Sequence, residues 1–155
     1  MSITTICNLI CSIGIIMNNN PTIEKHKAEK IALYLDKYKK QFKIPARIML
    51  GIWMVESSYK VDAVNHKSKD YGIGQINEKT IKAYKIDKDR LLKDLDYSIY
   101  KSVKVFFWFY KRYPAKEAIK RYNVGTRTTA IQREVAKKYY KKVEKYALNE
   151  RRAKN

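Results

Sequence analysis

The side chain with the clearest potential for chemistry is Glu56. It follows Met49, Ile52 and Trp53 by seven, four and three residues, so helical spacing places it on the apolar face that packs inward. A carboxylic acid taken out of water has a raised pKa and tends to keep its proton near neutral pH, which suits a general acid. The alternative is a surface role, in which Glu56 turns to solvent at the helix end or pairs with one of the many lysines.

Four short segments containing or following this residue form an ordered pattern. They are Glu56-Ser57-Ser58-Tyr59, Asp70-Tyr71-Gly72-Ile73-Gly74-Gln75-Ile76-Asn77, Arg121-Tyr122-Asn123-Val124-Gly125 and Tyr139-Tyr140-Lys141-Lys142-Val143. Together they resemble the soluble lytic transglycosylase family, a branch of the lysozyme-like superfamily, whose pattern is Glu-Ser-x-aromatic, Gly-Leu-Met-Gln-Ile, Ala-Tyr-Asn-x-Gly and Tyr-Val-x-x-Val. Each segment alone is a common string, but four in this order are specific. The resemblance spans about residues 45–146.

The resemblance implies a lysozyme-like domain in which Glu56 ends a helix at the floor of a groove for peptidoglycan strands. In such enzymes one carboxyl group protonates the oxygen that leaves from the β-1,4 bond between N-acetylmuramic acid and N-acetylglucosamine. The same group then takes the proton of the muramic 6-hydroxyl, which closes on the anomeric carbon to give a 1,6-anhydro end. The substrate's acetamido group holds the cation-like intermediate, so no second carboxylate is needed and no metal or cofactor is expected.

The same resemblance implies a set of substrate-binding residues. Backbone groups from Gly72 to Gln75 and the Gln75 amide would line the groove, and Tyr122 would orient Glu56 or the acetamido group. The full set is Ser57, Gly72, Ile73, Gln75, Asn77, Tyr122, Asn123 and Tyr139.

Structural alternatives exist for several of these residues, and the sequence departs twice from the family pattern. Gly72 and Gly74 suit a turn, Asn123 suits a helix cap, and Tyr139 lies on an apolar stripe that suits plain packing. Gly74 stands where the family has methionine, which removes a side chain from the groove wall. Arg121 stands where the family has alanine.

Asp70 supports a second interpretation of the same site. Its segment also resembles the hairpin of c-type lysozymes, whose second catalytic carboxylate falls at Asp70. If Asp70 reached the anomeric carbon, water could complete the reaction and the activity would be hydrolysis. The cysteines of that family are absent and the Tyr122-Asn123-x-Gly segment is typical of transglycosylases, so transglycosylation is favoured. Otherwise Asp70 is a turn residue or the partner of a nearby lysine.

The elements that position these residues are predicted to be helical. Apolar residues recur at helical spacing in six segments. Three of these helices are predicted over residues 28–42, 78–84 and 97–112. Two others begin at Pro45 and Pro114, and the last is capped by Thr128. The run 106–110 is apolar on every face and predicts a helix through the centre of the domain. Residues 59–77 predict loop or a small β hairpin. We expect a mainly α single domain of about six helices.

Residues 1–20 differ from the rest of the chain because they carry no charged side chain and no histidine. Their apolar stretch is interrupted by polar residues and falls short of the ~20 apolar residues of a spanning helix. Its length suits an export signal, but a basic leader and a small-x-small cleavage site are missing, so an export signal and an apolar segment docked on the domain both stand. Residues 21–150 form the predicted catalytic domain and residues 151–155 a basic tail. Cys7 and Cys11 both lie before residue 21, which excludes a disulfide framework for that domain.

The charge of the chain predicts a polyanionic partner. There are 34 Lys and Arg residues against 15 Asp and Glu residues, a net charge of +19, which nucleic acid, anionic membrane or acidic cell wall would attract. A nucleic-acid-binding module is the rival of a different class, but the lysines are scattered and no recognised binding signature is present. We therefore expect a monomer that binds peptidoglycan strands, no nucleic-acid partner and no stable membrane span. The protein is expected in the periplasm, cell wall or extracellular space. The sequence does not choose between a role in wall remodelling and a role in a secretion, conjugation or phage assembly.

Overall fold

The computed structural model describes residues 1–126 and 128–147, which form eight helices and one small sheet. The elements are α1 (Ile3–Asn19), α2 (Lys25–Phe42), α3 (Ala46–Ser57), β1 (Val64–Asn65), β2 (Asp70–Tyr71), β3 (Ile76–Asn77), α4 (Glu78–Ala83), α5 (Lys88–Lys93), α6 (Leu95–Tyr110), α7 (Ala115–Val124) and α8 (Ala130–Ala147). The predicted mainly α, lysozyme-like class is confirmed. Helices α1 and α5 add to the six predicted from spacing, and the β part has three strands. The predicted basic tail, residues 151–155, lies outside the described residues.

Helix α3 carries Glu56 and is the most buried helix of the domain. Pro45 precedes its first residue, where a missing N–H costs nothing. The helix then buries Met49, Leu50, Ile52 and Trp53 completely, because this stretch is apolar on nearly every side. The helix ends at Ser58, which has a left-handed backbone with φ 53°.

Helix α8 lies against α3 at Gly51. A Cβ atom on Gly51 would stand 2.7 Å from the Val143 carbonyl oxygen and 3.2 Å from the Ala147 Cβ, so only glycine permits this approach. Gly51 faces Val143 while Glu56 faces Tyr139, so the two helices run antiparallel. The close contact therefore brings the middle of α8 over the end of α3.

Helix α6 crosses the domain as predicted but is less buried than its sequence suggests. Ile99, Val103 and Phe106 are fully buried, whereas the aromatic residues 107–110 are only half-buried. The prediction of central burial for the run 106–110 therefore holds for Phe106 alone. Two serines, Ser98 and Ser102, are fully buried on the inner face of the helix.

Helix α1 packs its second half onto the domain. Ile15, Ile16 and Asn19 are buried there, while Ile3 and Ile10 nearer the N-terminus are 81% and 63% exposed. Within residues 1–126 and 128–147, no helix combines the length and apolarity needed to cross a membrane.

The antiparallel sheet, in the order β1-β2-β3, lies next to the end of α3 in the chain. Asp70 pairs with Asn65 on one side and with Asn77 on the other. Beneath it Ile76, Ile81, Ile86 and Leu91 form a second, small apolar cluster. This cluster is why the short strands, which bury little by themselves, hold a fixed place.

Side-chain caps set the helix boundaries that periodicity alone misplaced. Helix α6 begins two residues before the predicted residue 97 because the Asp94 side chain accepts a hydrogen bond from the Tyr97 N–H. The cap of α8 is Thr129, whose hydroxyl accepts from the Gln132 N–H at 3.2 Å, and not the predicted Thr128.

We expect Gly51→Ala to destabilise the protein by about 1–3 kcal/mol, because the new methyl group must push the α8 backbone away. Gly14→Ala is the matched control, since its Cβ would meet nothing within 4 Å and alanine favours a helix by about 0.5–1 kcal/mol. Urea unfolding of both variants measures the difference. Equal stability of the two variants would contradict the close contact at Gly51.

Candidate active site

Glu56 occupies the last turn of α3, where it is half-buried. Its Oε1 accepts a hydrogen bond of 2.6 Å from the Tyr139 hydroxyl of α8. Tyr139 itself is only 7% exposed, so it packs in the core, as its apolar stripe suggested, and also contacts the carboxyl group. This short bond to a buried tyrosine fixes the carboxyl orientation.

The environment of Glu56 favours its protonated form. Burial raises the pKa of this carboxyl from 4.5 to about 7, the Tyr139 hydrogen bond opposes that rise, and the negative charge of Asp70 adds to it. Burial dominates because a charge loses hydration that the single hydrogen bond does not replace. Burial also raises the pKa of Tyr139 and that of Tyr122, and the negative charge of Glu56 adds to both. Both phenols therefore act as hydrogen-bond donors at neutral pH.

The turn at residues 72–75 is tied directly to α3. The Ser57 hydroxyl donates to the Ile73 carbonyl at 2.8 Å, which places the turn beside Glu56. Gln75 adopts a left-handed backbone with φ 47°, and its amide nitrogen donates to the carbonyls of Ala63 and Gly72. Through these two bonds the Gln75 amide nitrogen holds the turn together. The Ile73 side chain is fully buried, so only the backbone of Ile73 can face a groove.

Tyr122 reaches the same turn from α7. Its hydroxyl donates to the Gly74 carbonyl at 2.7 Å and lies 3.2 Å from the Ser102 hydroxyl, which accepts from the Trp53 indole N–H at 2.8 Å. Because each hydroxyl donates only once, the chain of donors runs from Trp53 through Ser102 and Tyr122 to Gly74. The bond to Glu56 thus comes from Tyr139, and Tyr122 orients the turn.

Gly74, which lacks the methionine side chain of the family pattern, is closely packed. A Cβ atom there would stand 2.6 Å from the Tyr122 hydroxyl oxygen and 2.7 Å from the Ser102 Cβ. The space that a side chain would need at this position is already occupied by the tyrosine and the serine. Glycine is therefore required for the donor chain to form.

Asp70 and Asn77 face each other across the sheet. The Asn77 amide nitrogen donates to Asp70 Oδ1 at 2.8 Å and to the Ser68 carbonyl at 3.0 Å, while its carbonyl oxygen caps α4 through the Lys79 N–H. Both the nitrogen and the oxygen of the Asn77 amide are therefore used to hold the strands and the start of α4. Asp70 is near enough for its charge to raise the pKa of Glu56.

The end of α3 is braced by residues that the sequence did not single out as functional. Ser58 and Tyr59 both have a left-handed backbone, a costly conformation for residues other than glycine. The Asn20 amide donates to the Ser58 carbonyl at 3.1 Å. The buried Asn19 amide donates to the Tyr59 hydroxyl at 3.0 Å, and that hydroxyl donates to the Leu50 carbonyl. Two sequence features could have indicated these bracing residues and the buried donor chain: the run of asparagines before Pro21, and Ser98 and Ser102, four residues apart in α6.

The structure thus gathers most of the predicted residues around one carboxyl group. Tyr139 bonds Glu56, and Ser57, the next residue along the chain, bonds the turn 72–75, which Tyr122 also bonds. Asn123 lies exposed in the last turn of α7. Throughout the described part of the chain, no three His, Cys, Asp or Glu side chains converge in a way that could hold a metal ion. Chemically, the arrangement offers one half-buried acid that can give up and regain a proton near pH 7.

Comparison with known families identifies the same stretch of chain. The family model described as the transglycosylase SLT domain matches residues 33–147, well over half of the 155 residues. Comparisons with curated proteins and with solved structures gave no significant match.

The two neighbours of Glu56 should shift its pKa in opposite directions. Tyr139→Phe removes a bond that favours the carboxylate, so the pKa of Glu56 should rise, whereas Asp70→Asn removes a repelling charge, so it should fall. If Glu56 is the general acid of a reaction, it acts while protonated, so activity should decline as pH rises through about 7, at higher pH in Tyr139→Phe and at lower pH in Asp70→Asn. Carboxyl NMR titration and pH–rate profiles measure both shifts.

Matched controls for these variants are Tyr140→Phe, whose hydroxyl bonds the exposed Glu144 of the same helix, and Asp62→Asn, which is exposed in the loop before β1. Neither should move the profile. A shift of the same sign in Tyr139→Phe and Asp70→Asn would refute the electrostatic account of the site.

Proposed function

This chain belongs to the transglycosylase SLT-domain family, whose members act on peptidoglycan, and we propose that it is a lytic transglycosylase with Glu56 as its single acid and base. The observation that carries the proposal is the half-buried Glu56 carboxyl, with a pKa raised by burial to about 7 and a 2.6 Å bond to Tyr139. The family itself places the site of action outside the cytoplasm, where peptidoglycan lies.

The first step is protonation of the leaving oxygen. Tyr139 donates to Oε1, and within the described residues no hydrogen bond occupies Oε2, which is therefore the oxygen that carries the transferable proton. As the bond between the muramic C1 and the glucosamine O4 breaks, the proton moves from Oε2 to O4. The carboxylate left behind is the charged form that the Tyr139 hydrogen bond favours.

The second step returns the proton. The muramic O6 attacks C1, its proton passes to the Glu56 carboxylate, and the enzyme is restored without any water being consumed. Neutral carboxyl and carboxylate forms must both be accessible in one cycle, which is the condition that a pKa near ambient pH satisfies. Tyr122 and the backbone of residues 72–75 are proposed to hold the sugar that reacts, together with Ser57, Gln75, Asn77 and Asn123.

Hydrolysis is the second candidate because the charge of Asp70 acts on Glu56. If Asp70 stabilised the cation or attacked C1 directly, water could add to the intermediate and leave an ordinary reducing end. The Asn77 amide already bonds Asp70 Oδ1, which is a structural use for that carboxylate. The transglycosylase reaction is therefore the one we propose.

The remaining properties follow from the substrate. We propose that residues 21–150 form the catalytic domain of a monomer that works in the periplasm, cell wall or extracellular space. For residues 1–20 we favour the docked segment over an export signal, because Ile15, Ile16 and Asn19 are buried and Asn20 bonds the end of α3. Positive charge spread over the helices would concentrate the enzyme on an acidic wall. Nucleic acid is not part of this proposal, because the lysines form no recognised nucleic-acid-binding element.

Products from isolated peptidoglycan distinguish the two reactions. The full chain should release muropeptides lighter by one water than those of a hydrolase, measured by mass spectrometry, because ring closure replaces water addition. Glu56→Gln should lower the rate on the order of 10²–10⁴-fold, whereas Glu144→Gln, an exposed carboxyl on α8, should leave it unchanged.

Asp70→Asn should keep the anhydro products with at most a modest loss of rate at its own pH optimum. Ordinary reducing ends from the parent enzyme, lost together with activity in Asp70→Asn, would establish hydrolysis and overturn the transglycosylase proposal. Full activity in Glu56→Gln would overturn the assignment of the acid in either reaction.

A further inference from the structure

The half-buried aromatic residues of α6 line a surface cleft that the reaction leaves unused. This α6 cleft has a volume of about 460 Å³, within the range of ligand sites, ~300–1,000 Å³. Its aromatic walls are Phe42, Tyr84, Phe107, Trp108 and Phe109. Tyr84 is 60% exposed, although core packing would be expected to cover such rings.

Three lysines, Lys101, Lys104 and Lys111, share the cleft with these rings, and no acidic residue of the described chain lines it. Lys111 lies over the Phe107 ring of the cleft at 5.7 Å, whereas Lys101 and Lys104 lie over Tyr97 at 5.0 Å and Tyr100 at 5.7 Å, two rings outside the cleft lining. Within residues 1–126 and 128–147 none of the three forms an ion pair. The cleft therefore combines apolar ring faces with uncompensated positive charge, which suits a ligand with flat apolar faces and carboxylates.

The cleft and the candidate active site use neighbouring segments of the chain. Thr80 on its rim follows Asn77 by three residues, and Gly125 and Thr126 follow Asn123 by two and three. On α6, Phe109 lies two turns beyond Ser102 and so on the same side of the helix, and Ser102 is bonded to Tyr122.

Arg121, which replaces the family's alanine, fixes the rim of the cleft. Its guanidinium donates to the Thr126 carbonyl at 2.6 Å, is paired with Glu117 at 3.1 Å and lies over the Tyr113 ring at 4.4 Å. Gly125 turns the chain with φ 79°. The departure from the family pattern thus has a structural use, since it holds the residues after α7 against the cleft.

We propose that the α6 cleft is a second binding site for the peptidoglycan strand, with sugar rings packed on Trp108 and Tyr84 and stem-peptide carboxylates paired with Lys101 and Lys104. The proposal rests on the proposed function, which supplies the polymer. The cleft lining extends from Lys101 to Lys111, about 15 Å along α6, which is longer than one sugar ring. A pyranose presents C–H groups on its faces, which pack on aromatic rings, and the stem peptides supply the negative charge that the lysines lack.

Binding is tested in the Glu56→Gln background, where the strand stays uncut. The probes are soluble uncrosslinked glycan strands with stem peptides and the same strands with the stems removed. Adding Trp108→Ala should weaken binding of both by about tenfold. Adding Lys101→Gln with Lys104→Gln should weaken only the stem-bearing strands, by about three- to tenfold, and less at high salt.

The matched charge control is Lys30→Gln with Lys138→Gln, two exposed lysines outside the cleft, which should leave binding unchanged. The lysine variants are surface changes, so they test the cleft even if Trp108→Ala fails to fold. Unchanged binding in both cleft variants, or an equal loss in the charge control, would overturn the proposal. If the cleft variants lost binding to anionic phospholipid vesicles but kept their binding to glycan strands, the cleft would be a membrane-docking surface and the proposal would be overturned.

The active enzyme separates this proposal from the proposed reaction. With intact Glu56, Trp108→Ala should raise KM on long strands and leave kcat on a minimal tetrasaccharide unchanged. Binding that depends on Trp108 without any cleavage by the parent enzyme would remove the reaction and keep the binding site. If the parent enzyme cleaved the strands and Trp108→Ala changed neither KM nor binding, the proposed reaction would stand and the second binding site would be overturned.

Discussion

The contact between α3 and α8 is the constraint on which the site depends. Gly51 lets the α8 backbone approach so closely that a methyl group would stand 2.7 Å from the Val143 carbonyl oxygen. Five residues further along α3 and four residues back along α8, the same approach places the Tyr139 hydroxyl 2.6 Å from Glu56. Because the helices are rigid, a spacing set by the smallest side chain determines the geometry of a hydrogen bond several residues away. The acid is therefore positioned by packing and then fixed by its tyrosine.

Two further groups of buried hydrogen bonds convert this contact into a fixed site. The donor chain from Trp53 through Ser102 and Tyr122 to Gly74 ties α3, α6 and α7 to the turn. The asparagines at the end of α1 hold the left-handed residues that end α3. Buried polar groups are costly unless paired, so each bond restricts the backbone to one arrangement. In this setting, with a single hydrogen bond, the Glu56 carboxyl has a pKa of about 7, so both protonation states that the proposed reaction needs are accessible near neutral pH.

The large positive charge gains a more specific interpretation from the fold. A net charge of +19 by itself favours any polyanion, but membership of a peptidoglycan-acting family supplies an acidic polymer as substrate. Much of the charge is general, because lysines occupy the outer faces of most helices and would raise the local concentration of enzyme at the wall. The lysines of the α6 cleft differ because they adjoin the aromatic walls of a cleft, where their position and not their charge alone decides what is bound.

The sequence by itself determined the helical class, the family and the placing of Glu56 on an inward face. These depend on local spacing and on short ordered segments, which require no knowledge of distant contacts. Capping moved the helix boundaries by one or two residues, because a side chain such as Asp94 adds a hydrogen bond that periodicity does not register. Only the tertiary structure decided that Tyr139 bonds the acid and that Tyr122 bonds the turn. It also decided that neighbouring side chains fill the space beside Gly74 and that most of the aromatic run on α6 faces a cleft. Those outcomes depend on pairs of residues separated by as many as 83 positions, and the closeness of such pairs is set by how whole helices pack.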